Sequence, residues 1–256
     1  MAAFTRIPPG NEFSVSATLY VTYLKCPQQA LARLRGIYPI TTKAMFRGSL
    51  AHRIFARHLV DGPVPSDTFA SVCREETGAH LAGSMASLSL KYSEFTRIVA
   101  EVEELYERFK ALPAVGLVDV EVDIEAALVE GVTLRGRMDA VFSDDQGVRI
   151  VDWKTGSNLD DAEHQLAFYA MAWRLAEGAL PTTMEAVSLK TGERRVSAPS
   201  DGEADETEAD VVAMISHVRT AMASNAELPR SAGPHCQWCP LRGDCAEGRS
   251  ALEILF

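Results

Sequence analysis

The sequence predicts an α/β fold in which a helical N-terminal part precedes a sheet-forming core. Three observations carry this. Phe95, Ile98, Val102, Leu105 and Phe109 recur at helical spacing. From residue 117 the period changes to two, with Val118, Val120, Val122 and Ile124 on one side and Asp119, Glu121 and Asp123 on the other. The stretch VRIVDWKTG at 148–156 then reads as a buried strand that ends in charge.

Residues 1–15, with Pro8, Pro9 and Gly10, read as irregular. Ser16 is a candidate cap for a helix that runs to Cys26, and Pro27 marks a kink or a fresh helix start towards Gly36. Residues 45–60 read as a helix with Phe46, Leu50 and Ile54 along one side and His52 on another. His58 is six residues on, so the two histidines are not a metal-binding pair one turn apart. Residues 61–67 form a loop, and 68–110 is helical with breaks at Gly78 and Gly83.

The alternating segment, LRGRMDAVF and VRIVDWK, joined by turns at Glu130–Gly131 and Ser143–Gly147, predict a three-stranded meander. A helix capped by Asp160 or Asp161 follows and ends at Gly178, with Gln165 and Tyr169 on one face. Residues 182–199 read as an edge hairpin turned at Thr191–Gly192. The acidic stretch 200–210 reads as a loop running into a helix, and ALEILF as a docking apolar tail.

At 256 residues and 47% hydrophobic, the chain can bury a core of one large domain. No run of 18 apolar residues suggests a membrane span, and MAAFTRIPPGNEF has no apolar secretion segment, so a cytoplasmic protein is expected. The net charge of −10 counts against tight non-specific duplex binding, which needs clustered Lys and Arg. Residues 200–210 alone supply six acids and no base.

The chemistry concentrates in two places. Asp152 and Lys154 project from one face of their strand, and a hairpin would return Asp139 beside Asp152. Two carboxylates can hold Mg²⁺ or Mn²⁺ through hard oxygen ligands, and a neighbouring lysine can offset charge on a phosphodiester. The competing reading is a salt-bridged surface patch. Glu121 could add a carboxylate, though alternation gives its neighbours the same claim.

The second place is Cys236-x2-Cys239-x5-Cys245, three thiols that call for a fourth ligand. His235 could complete a zinc knuckle, or Cys26 could reach it from the other end of the chain. Cys26 read locally is a small buried hydrophobe, and Cys73 a buried or spare thiol.

GSLAHRIF, GRMDAVF, VRIVDWKTG and HQLAFYAMAW together resemble the RecB-family branch of the PD-(D/E)XK nucleases, which includes nuclease domains of bacterial recombination helicase–nucleases and CRISPR-associated iron–sulfur exonucleases. The resemblance spans roughly Ser16 to Cys245. It implies a restriction-endonuclease-like core with a central mixed sheet flanked by helices, plus an N-terminal helical region and a C-terminal cysteine-rich element. The boundaries are 1–115 for the helical region carrying His52 and Cys26, 116–199 for the nuclease core, and 200–256 for a helix and cluster-binding tail.

By the resemblance, His52, Asp139, Asp152 and the Trp153 backbone carbonyl hold Mg²⁺ or Mn²⁺. Asp139, Asp152 and Lys154 are catalytic, while Gln165 and Tyr169 position DNA. YLKCP and CQWCPLRGDC imply a [4Fe–4S] cluster on Cys26, Cys236, Cys239 and Cys245, with zinc as the alternative.

The expected function is a metal-dependent DNA exonuclease in repair or recombination, acting on single-stranded ends in preference to duplex, with a helicase as one candidate partner. One alternative is a CRISPR-associated nuclease that trims spacer precursors beside an integrase. The other is a non-catalytic DNA-binding or assembly module.

Overall fold

A computed structural model describes residues 13–255. Strand β1 (Phe13–Ser16) leads directly into α1 (Ala17–Lys25), whose first turn is capped by the Ser16 hydroxyl accepting from Leu19 N at 3.2 Å. The irregular reading of 1–15 is therefore corrected at Phe13; residues 1–12 lie outside the described residues. Pro27 occupies the first turn of α2 (Pro27–Leu34), where its missing N–H costs nothing. The long helix α3 (Lys43–Asp61) ends at Gly62, whose φ of +96° suits glycine.

Helix α4 (Phe69–Glu76) does not break at Gly78. It passes through a π-helical turn (Thr77–Leu81) into α5 (Ala82–Ser87), and α6 (Tyr92–Phe109) follows. The remaining strands are β2 (Leu117–Val129), β3 (Val132–Asp144), β4 (Gly147–Lys154), β5 (Thr183–Ser188) and β6 (Arg194–Ser197). Between β4 and β5 runs α7 (Ala162–Glu177), closed by the left-handed Gly178. The acidic stretch is helix from Asp201, as the first turns of α8 (Asp201–Ser224), and the loop reading is corrected there. Ser200 and Glu203 form a reciprocal capping box, and acids at a helix N-terminus meet its positive dipole end. Arg174 also draws in Asp201, Asp205 and Glu208.

Among the described residues, the six strands form one mixed sheet. β3 is its spine. β2 runs antiparallel along one edge of β3, and β4 runs antiparallel along the other from Ala140 onward. β1 is parallel to β3 at Val132–Arg135, so β1 and β4 share one edge end to end. Between them, residues 136–139 of β3 have no strand partner on that edge among the described residues. β5 is parallel to β4, and β6 closes the far edge.

Helices cover both faces. α1, α2, α7 and α8 bury one core against the sheet, and α3, α4 and α6 bury another around Phe55, Phe109 and Trp153. Uniform alternation along β2 does not hold. Val122 and Ile124 pack towards the α7 core and Val120 towards the α3 core, because Glu121 has a φ of +51° and reverses the pleat. β3 reverses opposite it, with Met138 in the first core and Ala140 and Phe142 in the second. No helix among the described residues is long and apolar enough to cross a membrane.

Candidate metal and nuclease site

The gap in the β3 edge is where the polar side chains gather. The register on either side, Val120 with Ala140 and Val122 with Met138, leaves Glu121 opposite Asp139. The paired reversal turns both carboxylates towards α3. His52, one-quarter exposed on that helix, meets Asp139, with Nδ1 and Oδ1 2.9 Å apart. His52, Glu121 and Asp139 each offer a ligand atom, and the three atoms lie within 4.8 Å of one another.

On the adjoining strand, Trp153 N donates to Asp139 Oδ2 at 2.6 Å, while its indole packs edge-on against Phe109 in the core behind. Asp152 points the other way and is buried. Lys154 Nζ lies 2.6 Å from Asp152 Oδ2 and donates to Gln165 Oε1 at 2.6 Å. Gln165 Nε2 donates to Asp152 Oδ1 at 2.9 Å and to the Tyr169 hydroxyl at 3.0 Å. The Tyr169 hydroxyl in turn donates to the Arg137 carbonyl at 3.0 Å, on the stretch of β3 that, among the described residues, lacks a strand partner on its β1–β4 edge. One helix face thus braces the acid, the lysine and the sheet edge together.

The electrostatics are those of a dry site crowded with acid. Burial, reinforced by the charge of Asp139 and opposed by Lys154, raises the Asp152 pKa to about 6. Burial followed by Asp139 also raises Glu121. For His52, burial disfavours the proton, but Asp139, Asp152 and Glu121 outweigh it and raise the pKa to about 9. Burial pushes the Tyr169 phenol up as well, so it remains a donor.

These residues fit a divalent cation. Asp152 Oδ2 is buried and, although ion-paired with Lys154, accepts no well-directed hydrogen bond. The carboxylate oxygens are hard donors that suit Mg²⁺ or Mn²⁺, and the one imidazole is a borderline ligand beside them. His52, Asp139, Asp152, Lys154, Gln165 and Tyr169 all meet here. Glu121 was legible only as one of several alternating acids, since nothing in the sequence marks its left-handed backbone.

The cysteines require a correction. Cys26, Cys236, Cys239 and Cys245 line one cavity of about 20 Å³, and all are free thiols. That space accommodates roughly one water. Among the described residues no four-cysteine group closes to ligand distance; the group that does is the His52 one. The [4Fe–4S] cluster, its zinc alternative and the assignment to a four-cysteine iron–sulfur branch are accordingly withdrawn. No distinct cysteine-rich element forms either. The segment makes two short 3₁₀ turns, Pro234–Trp238 and Arg242–Asp244, leading into α9 (Ala246–Leu255). The chain ends are instead joined by hydrogen bonds at Gln28, whose Oε1 accepts from Leu228 N at 2.7 Å and whose N–H donates to the Pro229 carbonyl at 3.2 Å.

A candidate exonuclease from Eubacterium rectale, solved crystallographically, superposes with a TM-score of 0.55 at 14% identity, covering 93% of this chain and 87% of its own. At that identity the likeness is one of fold. A second solved structure, SSO0001, gives a TM-score of 0.37 at 16% identity over 78% of this chain and 98% of its own, too low to carry an argument. No curated protein matches the sequence. The family description "PD-(D/E)XK nuclease superfamily" matches residues 14–246, which take in every residue of the site. The chain belongs to the PD-(D/E)XK nuclease superfamily.

Proposed function

We propose that the chain is a Mg²⁺- or Mn²⁺-dependent deoxyribonuclease that works as an exonuclease on single-stranded ends, in DNA repair or recombination. The observation that carries this is the meeting of His52, Glu121, Asp139, Asp152 and Lys154 at the gap in the β3 edge. His52, Asp139, Asp152 and the Trp153 carbonyl would hold the ion, with Glu121 as a further carboxylate. When bound, the ion supplies Lewis-acid charge to the phosphodiester.

The chain's own groups have separate tasks. Lys154 sets a cation against the charge that develops on the phosphoryl group and orients the attacking water. Gln165 holds both Lys154 and Asp152, fixing their separation without adding charge. Tyr169 anchors Gln165 to the β3 backbone. Near the site, Arg137 is ion-paired with Asp123. With a net charge of −10, a flexible single strand is favoured over a stiff duplex.

The test is cleavage of 5′- and 3′-labelled single strands, duplex and circular DNA with Mg²⁺ or Mn²⁺. Linear single strands should shorten from an end while circles resist. Lys154→Ala should lower cleavage on the order of 10²–10³-fold with the fold retained. Unchanged cleavage by that variant would overturn the mechanism, and cutting of circles would overturn the exonuclease reading.

A further inference from the structure

A row of charged cross-strand pairs continues from the candidate metal group along β2 and β3. Ile124, Ala126 and Leu134 face the α7 core, so the residues alternating with them, Asp123, Glu125, Arg135 and Arg137, face the other way. Asp123 lies opposite Arg137 and Glu125 opposite Arg135, the two rungs that follow Glu121 and Asp139. Arg137 donates to Asp123 through Nε at 2.7 Å and Nη2 at 2.9 Å, and Arg135 Nε lies 3.1 Å from Glu125 Oε2. Arg137 Nη1 also lies 3.7 Å from Glu121 Oε2, so the row begins at the His52–Glu121–Asp139 group itself.

These rungs are open to solvent. The Arg135 and Arg137 side chains are 60% and 56% exposed, whereas those of Arg47, Arg53 and Arg57 on α3 are 25%, 31% and 28% exposed and tied to acids of α4 and α6. Ion pairs as open as the two rungs contribute little to stability, so their partners exchange at little cost. A guanidinium meets a phosphate with the same two parallel hydrogen bonds that it gives a carboxylate. Residues two apart on a strand stand roughly 7 Å apart, which is the step of a single nucleotide in an extended chain.

We propose that Arg137 and Arg135 form a phosphate track that leads the nucleic-acid strand out of the nuclease site. Arg137 takes the phosphate next to the scissile one and Arg135 the phosphate beyond it, each guanidinium exchanging its carboxylate partner for phosphate. A small anion would engage one rung and leave the other paired. Two guanidinia at nucleotide spacing, in a row that starts at the metal group, fit a strand. Asp123 and Glu125 hold the guanidinia in place when no strand is present and compete with the strand when it is. Weak holding suits a substrate that must advance after each cut. That the strand is DNA, and that cutting occurs beside it, rests on the function proposed above.

The experiment measures binding of a fluorescent single-stranded oligonucleotide to the full-length protein in EDTA, over a series of salt concentrations. Arg137→Gln and Arg135→Gln should each weaken binding by about three- to tenfold and reduce the slope of log affinity against log salt by about 0.7. Asp123→Asn should do the opposite and tighten binding by about two- to fivefold, because it frees Arg137. If the pairs served only to hold the strands in register, Arg137→Gln and Asp123→Asn would lower the melting temperature alike and leave the salt slope unmoved, and that result would overturn the proposal. Weaker binding by Asp123→Asn would overturn it too. Cleavage with Mg²⁺ or Mn²⁺ separates the track from the function itself. Arginine variants that bind and cut like an active wild type remove the track and leave the nuclease; a wild type that shows the arginine-dependent slope and cuts nothing removes the nuclease and leaves the track.

Discussion

The Tyr169 ring occupies the space that a side chain on Gly136 would fill. A Cβ at Gly136 would come within 2.9 Å of Tyr169 Cε1 and 3.0 Å of Ile124 Cγ2. Both neighbours belong to the packed core under α7, so neither can yield cheaply. The glycine therefore lets the phenol reach the Arg137 carbonyl. Gly136→Ala should cost about 1–3 kcal/mol in urea unfolding and lower cleavage more than Tyr169→Phe does. The phenylalanine loses one hydroxyl, whereas the alanine displaces the whole ring and with it Gln165.

Glu121 holds a backbone conformation that costs an L-residue about 1–2 kcal/mol. Glu121→Gly should relieve that strain and leave melting temperature unchanged or higher, while raising the metal concentration needed for cleavage. Glu121→Gln keeps the strain and loses the charge, so it should share the metal defect without the gain in stability. A metal titration of activity beside a melting curve separates the two effects.

The metal-free protein should lose stability as pH rises. His52 carries a folded pKa of about 9 against an ordinary 6.5. Protonated pairing with Asp139 is therefore fully stabilising below about 6.5 and is lost as pH rises through about 9. Melting in EDTA across that window should fall, and His52→Asn should flatten the dependence. Mn²⁺ added at the alkaline end should restore stability to the wild type, since the ion replaces the lost positive charge.

Gln28 joins segments two hundred residues apart through its buried amide. Gln28→Leu should cost about 1–3 kcal/mol by stranding Leu228 N and should make the residues after α8 more susceptible to proteolysis. Cleavage activity per folded molecule should be unchanged, because Gln28 makes no contact with the acidic site.

Much of the architecture was legible because period and punctuation are local properties. Ser16, Pro27, Gly178 and the switch from helical to alternating spacing mark real boundaries. Asp139, Asp152 and Lys154 could be grouped because a short hairpin fixes register. Three things escaped. The π turn runs through Gly78, which a propensity argument reads as a break. The acidic run is helical because a capping box and Arg174 offset its self-repulsion, and Arg174 is distant in sequence. The reversal at Glu121 exists only as a pair with Asp139 on the neighbouring strand. The cysteine spacing, conversely, suggested a shared ion that the sulfur positions do not support.

The shared edge of β3 also governs when the enzyme can become competent during its own synthesis. β4 reaches that edge through a tight hairpin, as soon as residue 154 has emerged. β1 must wait, since Phe13 pairs with Val132 across more than a hundred intervening residues, and pairings of such separation are slow to form. The acids and lysine can thus come together early, but the frame around Tyr169 and Arg137 is completed only after β3 and α7 exist. A nascent chain would carry its ligands before it carries the brace that aligns them, which delays cutting power until most of the polypeptide has been made.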